Sequence, residues 1–172
     1  MLVSEAETAQ VCDYGLSPLI SNPTFAISLR SSRWLAPEII DPLNSTPPTA
    51  SKSADVFAFA MLAVEVFTGE VPFGNTTEGL VAVQIASGKR PARPQAAERF
   101  GLTVEMWMFI ENCWMANPSN RPTIDEVVRT WGGFVNAEKH GNHSLPQNPH
   151  THGLTCCDVI VPLRKRRFCG LF

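Results

Sequence analysis

The last nine residues carry the most reactive chemistry in this 172-residue chain: Arg164-Lys165-Arg166-Arg167-Phe168-Cys169-Gly170-Leu171-Phe172. Cys169 stands fourth from the end, Leu171 is aliphatic at the third position of a C-a-a-X pattern, and a terminal Phe selects geranylgeranyl over farnesyl. Gly170 departs from the pattern. One lipid chain binds membranes reversibly, and four adjacent cations add a second signal worth about 1 kcal/mol each against an anionic leaflet. Cys169 is therefore read as a lipidation site, with Arg164, Lys165, Arg166 and Arg167 as its contact to an anionic membrane surface. A basic run alone is also the pattern of a solvated tail or a nuclear-import signal.

Metal-ligand side chains form a second group. All four histidines, 140, 143, 150 and 152, fall between Glu138 and Thr155 among Asn, Gln, Pro and Gly. Imidazoles of this kind bind zinc or nickel, but no helix or strand is expected here to fix their geometry, so a linker is the better reading. The five cysteines are odd in number and show no C-x-x-C repeat, which fits reduced thiols rather than a disulfide framework.

The elements that position any such chemistry follow from composition and pattern. With 44% hydrophobic and 17% charged residues, the chain suits one compact domain with a tail. Its net charge is −2, yet without the basic cluster residues 1 to 163 carry 10 basic against 16 acidic side chains, which argues against nucleic acid along the main surface. The opening MLVSEAET has Glu5 and Glu7 where a secretory signal is basic and apolar, so a cytoplasmic location is expected. The longest apolar stretch, 56 to 67, contains Glu65 and is shorter than the roughly 20 residues of a membrane span.

Leu2-Val3 and Ala9 to Cys12 are expected to form a short hairpin. Residues 16 to 33 and 41 to 53 read as loops, the latter broken by Pro42, Pro47 and Pro48. The stretch Val56 to Phe67 reads as a buried helix stopped by Gly69, with strand as the alternative. Two more helices are expected at Thr77 to Ser87, closed by Gly88, and at Val104 to Met115, led by Thr103. A fourth begins at the capping box Thr123-Ile124-Asp125-Glu126 and is expected to end at Gly132-Gly133, so that the ordered body stops near Trp131.

Five segments then add up to a resemblance. These are Asp13-Tyr14-Gly15; Arg33-Trp34-Leu35-Ala36-Pro37-Glu38; Lys52-Ser53-Ala54-Asp55-Val56-Phe57-Ala58-Phe59-Ala60; Thr68-Gly69 with Pro72-Phe73; and Cys113-Trp114 with Asn117-Pro118 and Arg121-Pro122-Thr123. In this order and spacing they resemble the C-terminal lobe of a protein kinase, most closely the tyrosine-kinase-like group whose members mostly phosphorylate Ser or Thr. The fold this implies is mainly α, a kinase-like C-lobe with a short N-terminal β-hairpin and with the N-lobe and catalytic loop absent. It implies a partial kinase domain over residues 1–134, with an activation segment at 13–38 and a helical core at 53–131. Residues 135–172 would be a disordered linker and basic tail.

By the same resemblance, Asp13 would hold Mg²⁺ against the phosphates of ATP, a hard cation preferring carboxylate oxygen. Tyr14 keeps an aromatic ring, and Gly15 the backbone freedom of the turn. Ser31 takes the place of a Thr beside the substrate hydroxyl. Ser21, Thr24, Ser28 and Ser32 are candidate phosphorylation sites, or simply solvated loop hydroxyls. Glu38 and Arg121 would form a buried structural ion pair, and Asp55 would bond the backbone of the catalytic loop. Trp107, Trp114, Trp131 and methionines 61, 106, 108 and 115 read as core packing.

No G-x-G-x-x-G loop, V-A-I-K lysine or H-R-D-x-x-x-x-N loop occurs in the 172 residues, and by comparison with intact relatives Met1 stands just after the metal-binding Asn of that loop. The chain alone is therefore not expected to work as a kinase. Two functions follow. One is the parent activity, ATP-dependent phosphorylation of protein Ser/Thr, with protein substrates as partners. The other is a catalytically dead C-lobe that binds proteins and is tethered to a membrane.

Overall fold

The computed structural model describes residues 2–3, 9–10, 32–40, 51–94 and 101–140. Near the N-terminus, β1 (Leu2–Val3) pairs antiparallel with β2 (Ala9–Gln10), Leu2 opposite Gln10 and Val3 opposite Ala9. The other regular elements among the described residues are helical: a 3₁₀ turn at Ser32–Trp34, α1 (Pro37–Ile40), α2 (Lys52–Thr68), α3 (Glu78–Ala86), α4 (Val104–Cys113), a 3₁₀ turn at Pro118–Asn120, and α5 (Ile124–His140). This is the expected mainly α architecture.

α2 is the axis of the core. Ser51 caps it, its hydroxyl accepting from Ala54 N at 3.1 Å, and Asp55 places a negative charge in the first turn. The helix therefore starts four residues before the apolar run, where a polar turn leaves no hydrophobic signal. It ends as expected: Gly69 adopts φ 68°, and its N–H reaches Glu65 O at 2.8 Å. Apolar side chains on nearly every face suit its position, with Val56, Phe57, Ala60, Met61, Ala63, Val64 and Phe67 all buried.

The neighbours supply the remaining walls. α3 contributes Val81 and Ile85, and α4 contributes Met106, Trp107, Ile110 and Cys113. Trp107 and Trp114 meet edge to face at 5.4 Å, as do Phe59 and Trp131 at 5.0 Å. Burial pushes the Cys113 thiol up to about 12, which leaves it an inert core residue. Met61 and Met106 are core as expected, whereas Met108 and Met115 are 59% and 42% exposed and face solvent.

The largest departure is at the C-terminal helix. Its capping box forms as expected: Thr123 N donates to Glu126 Oε2 at 2.7 Å, and Glu126 N donates to the Thr123 hydroxyl at 3.3 Å. The helix then runs through Gly132 and Gly133 to His140, so the ordered body does not stop near Trp131 and the boundary at 134 falls inside a helix. Glycine in a helix interior costs about 1 kcal/mol against alanine. Aromatic contacts beyond the pair offset that cost, since Phe134 packs on Trp131 at 6.1 Å and on Phe109 of α4 at 6.2 Å. A Cβ added at either glycine meets nothing within 4 Å, and neither has positive φ. The double variant Gly132→Ala/Gly133→Ala should therefore gain about 1–2 kcal/mol, readable as a rise of several degrees in Tm by circular dichroism.

Among the described residues, no helix is long and apolar enough to cross a membrane.

Candidate functional site

The residues with the most elaborate bonding lie in the short segment 32–40, and it is held from three sides. At its N-terminal end, Arg33 is 8% exposed and uses its whole guanidinium. Nε donates to Glu78 Oε1 at 2.6 Å, Nη1 to the carbonyls of Pro72 at 2.6 Å and Gly74 at 3.0 Å, and Nη2 to Thr76 O. Ser32 is 7% exposed, and its hydroxyl donates to both the carboxylate and the backbone carbonyl of Glu78. A planar five-donor group suits this task because the carbonyls of 72, 74 and 76 point at it from a single turn. That turn is itself strained: Phe73 has φ 65°, rare for a bulky residue, and Gly74 follows at 55°.

In the middle, the Trp34 indole donates to Glu65 Oε2 at 3.0 Å. Glu65 interrupts the apolar surface of α2 and is 6% exposed. Burial raises its carboxyl above the ordinary range, and the Trp34 bond partly opposes the rise.

At the C-terminal end, Arg121 Nη1 and Nη2 donate to Glu38 Oε1 at 2.7 Å and Oε2 at 2.8 Å, a bidentate fork. The Arg121 side chain is fully buried, and that of Glu38 is 23% exposed. Arg121 also donates to Met115 O, Ser53 O and Ala116 O, and its guanidinium lies over the Phe57 ring at 5.1 Å. Arg90 approaches the same ring at 4.9 Å and donates to Trp114 O at 3.0 Å. Burial, then Arg121, lowers the Arg90 pKa.

Of the residues singled out from sequence, Glu38 and Arg121 therefore meet directly. Asp55 lies exposed in the first turn of α2. Ser32 is enclosed against Glu78, which removes it from the accessible hydroxyls and corrects its place among the phosphorylation candidates. Asp13, Gly15, Ser21, Thr24, Ser28, Ser31, Cys169 and the basic cluster from Arg164 to Arg167 lie outside the described residues. Among the described residues no group of three or more His, Cys, Asp or Glu could hold a metal ion.

Sequence reasoning did not find Glu65, Glu78 or the role of Arg33. Glu65 left a signal that can be read backward, because a carboxylate inside an otherwise apolar helix needs a partner. Glu78 left none.

What this arrangement can do chemically is hold a loop. Segment 32–40 is tied to α3 through Glu78, to α2 through Glu65 and to the turn before α5 through Arg121, which leaves its backbone little freedom. A sequence profile described as protein tyrosine and serine/threonine kinase matches residues 1–131. A probable serine/threonine-protein kinase of Dictyostelium discoideum is 30% identical over 132 residues, covering 74% of this chain and 13% of that protein. Tyrosine-protein kinase Srms of Mus musculus is 31% identical over 144 residues, covering 81% and 27%. Atrial natriuretic peptide receptor 2 of Rattus norvegicus is 29% identical over 149 residues, covering 81% and 14%. The chain spans between 7% and 27% of the length of these and similar curated relatives. With a profile match over three quarters of its length and the R-W-x-A-P-E segment clamped by Arg121, the chain belongs to the protein tyrosine and serine/threonine kinase family.

Proposed function

We propose that the chain is the substrate-side half of a protein-kinase domain that transfers phosphate from ATP to protein Ser or Thr once an N-lobe and an H-R-D loop complete it, and that the 172 residues alone transfer none. The observation that carries this reading is the threefold clamp on segment 32–40. A protein substrate needs a rigid floor beside the reacting hydroxyl, because phosphoryl transfer depends on positioning and charge stabilisation more than on covalent chemistry. Here Arg33, Trp34 and Glu38 spend their polar atoms on making that floor rigid. Asp13 would supply the magnesium ligand, with Gly15 permitting its turn. Ser21, Thr24 and Ser28 remain the candidate regulatory hydroxyls of the activation segment, and Ser31 would stand beside the substrate hydroxyl.

Titration of the purified chain with a fluorescent ATP analogue tests the second half of the proposal. No saturable, magnesium-dependent binding below 1 mM is expected, since neither the glycine-rich loop nor the lysine that would grip the phosphates occurs in the sequence. Submicromolar binding dependent on magnesium would overturn it.

A second reading is supported by the sequence, in which no G-x-G-x-x-G loop, V-A-I-K lysine or H-R-D-x-x-x-x-N loop occurs. On that reading the lobe is a catalytically silent binding module, held at an anionic cytoplasmic membrane face by a lipid on Cys169 and by Arg164, Lys165, Arg166 and Arg167. Mass spectrometry of the C-terminal peptide from cells decides the tether, because an unmodified Cys169 thiol with Gly-Leu-Phe still attached removes it.

A further inference from the structure

α4 presents an unusual outer stripe. Val104, Met108 and Met115 are 48%, 59% and 42% exposed, and Glu105, Glu111 and Asn112 are exposed between them. The spacing of 104, 108, 111 and 115 places these side chains along one side of the helix and its C-terminal extension, so apolar and acidic groups share a strip. Glu105 is held by its own backbone N–H and by Thr103, with Arg93 a lesser cationic neighbour. No hydrogen bond or ion pair from the described residues reaches the Glu111 carboxylate.

The same chain contains a segment of complementary character. Val159-Ile160-Val161-Pro162-Leu163 is apolar, and Arg164-Lys165-Arg166-Arg167 follows it directly, without an acidic neighbour, in a chain whose other 163 leading residues carry an excess of acid. The 18 residues 141 to 158 separate it from the end of α5. A chain of that length spans up to about 60 Å, whereas the ten-residue α4 is only about 15 Å long. Reach is therefore no obstacle, particularly since α5 touches α4 through Phe134 and Phe109.

We propose that residues 159–167 dock on the outer stripe of α4, the apolar part covering Val104, Met108 and Met115 and the cations facing Glu105 and Glu111. Each half of the match removes a cost of the other. The apolar contacts bring Lys165 and its neighbours against carboxylates, and the charges fix which strip of the lobe is covered. Docked in this way, the basic cluster is withheld from other anionic surfaces until something competes for it.

The experiment uses the full chain as an equal mixture of ¹⁵N-labelled and unlabelled protein, treated with a carbodiimide that joins an amine to a carboxylate in contact. Mass spectrometry should find Lys165 joined to Glu111 or Glu105 within one isotopic species, and Val104→Ser/Met108→Ser should cut that yield at least fivefold. Links between labelled and unlabelled chains would assign the stripe to a second copy and overturn the intrachain proposal. Links from Lys165 spread over distant carboxylates such as Glu70, with no response to the serine variants, would also overturn it. Hydrogen exchange supplies a readout that does not touch the lobe. With Arg164→Glu, Lys165→Glu, Arg166→Glu and Arg167→Glu combined, the amides of α4 should exchange faster than in the parent, and unchanged exchange would refute docking.

Discussion

Arg121→Ala should cost about 3–5 kcal/mol, and the melting transition should fall by roughly 10 °C or more. The reason is what the substitution strands. Glu38 loses both donors of its fork, at 2.7 and 2.8 Å, and remains mostly enclosed, while the carbonyls of Met115, Ser53 and Ala116 lose theirs. The Phe57 ring, fully buried beneath the guanidinium, loses one of the two cations that cover it. A free energy of this size is a large part of the 5–15 kcal/mol that a domain has in total. Arg121→Lys keeps the charge but cannot serve two carboxylate oxygens and three carbonyls from a planar fork, so it should recover only a minor share. Differential scanning calorimetry or thermal circular dichroism reads the result. A Tm for Arg121→Ala within a degree or two of the parent would show that the fork carries no stability.

The second large effect is expected at the other end of the clamp. Arg33→Ala should destabilise the lobe by about 2–4 kcal/mol, because the carbonyls of Pro72, Gly74 and Thr76 lose their common donor, the first in a buried position and the other two in half-buried ones. Its distinguishing signature is local. Phe73 holds its left-handed conformation between two residues whose carbonyls Arg33 grips, so the turn from Val71 to Thr76 should relax when the guanidinium is gone. The amides of Gly74 and Thr76, which bond Val71 O at 3.0 Å and Phe73 O at 3.2 Å, should then exchange with solvent at least tenfold faster. Glu78→Gln removes the charge partner and leaves the three carbonyl bonds in place, so it should spare that turn. Equal protection of Gly74 and Thr76 in Arg33→Ala and parent would mean the turn is held by its own residues.

Both effects concern residues whose importance was only partly visible in one dimension. Sequence by itself determined the family, the helical character of the lobe, and those helix ends that depend on bonds over a few residues. Thr123 with Glu126 and the glycine at 69 belong here, because a cap is completed by atoms three or four positions away and its chemistry is written in adjacent letters. The Glu38 to Arg121 pair was reachable only through the resemblance, since nothing in the letters joins positions 83 apart. Tertiary structure alone decided the rest. It selected Glu78 as the acid that holds Arg33, turned Trp34 onto Glu65 across 31 positions, and left Met108 outside while Met106 went in. It also carried α5 past two glycines that local propensity reads as a stop. A propensity cost of about 1 kcal/mol per glycine is smaller than what an aromatic side chain gains by burial, and Phe134 can find Phe109 and Trp131 only once the helices are packed.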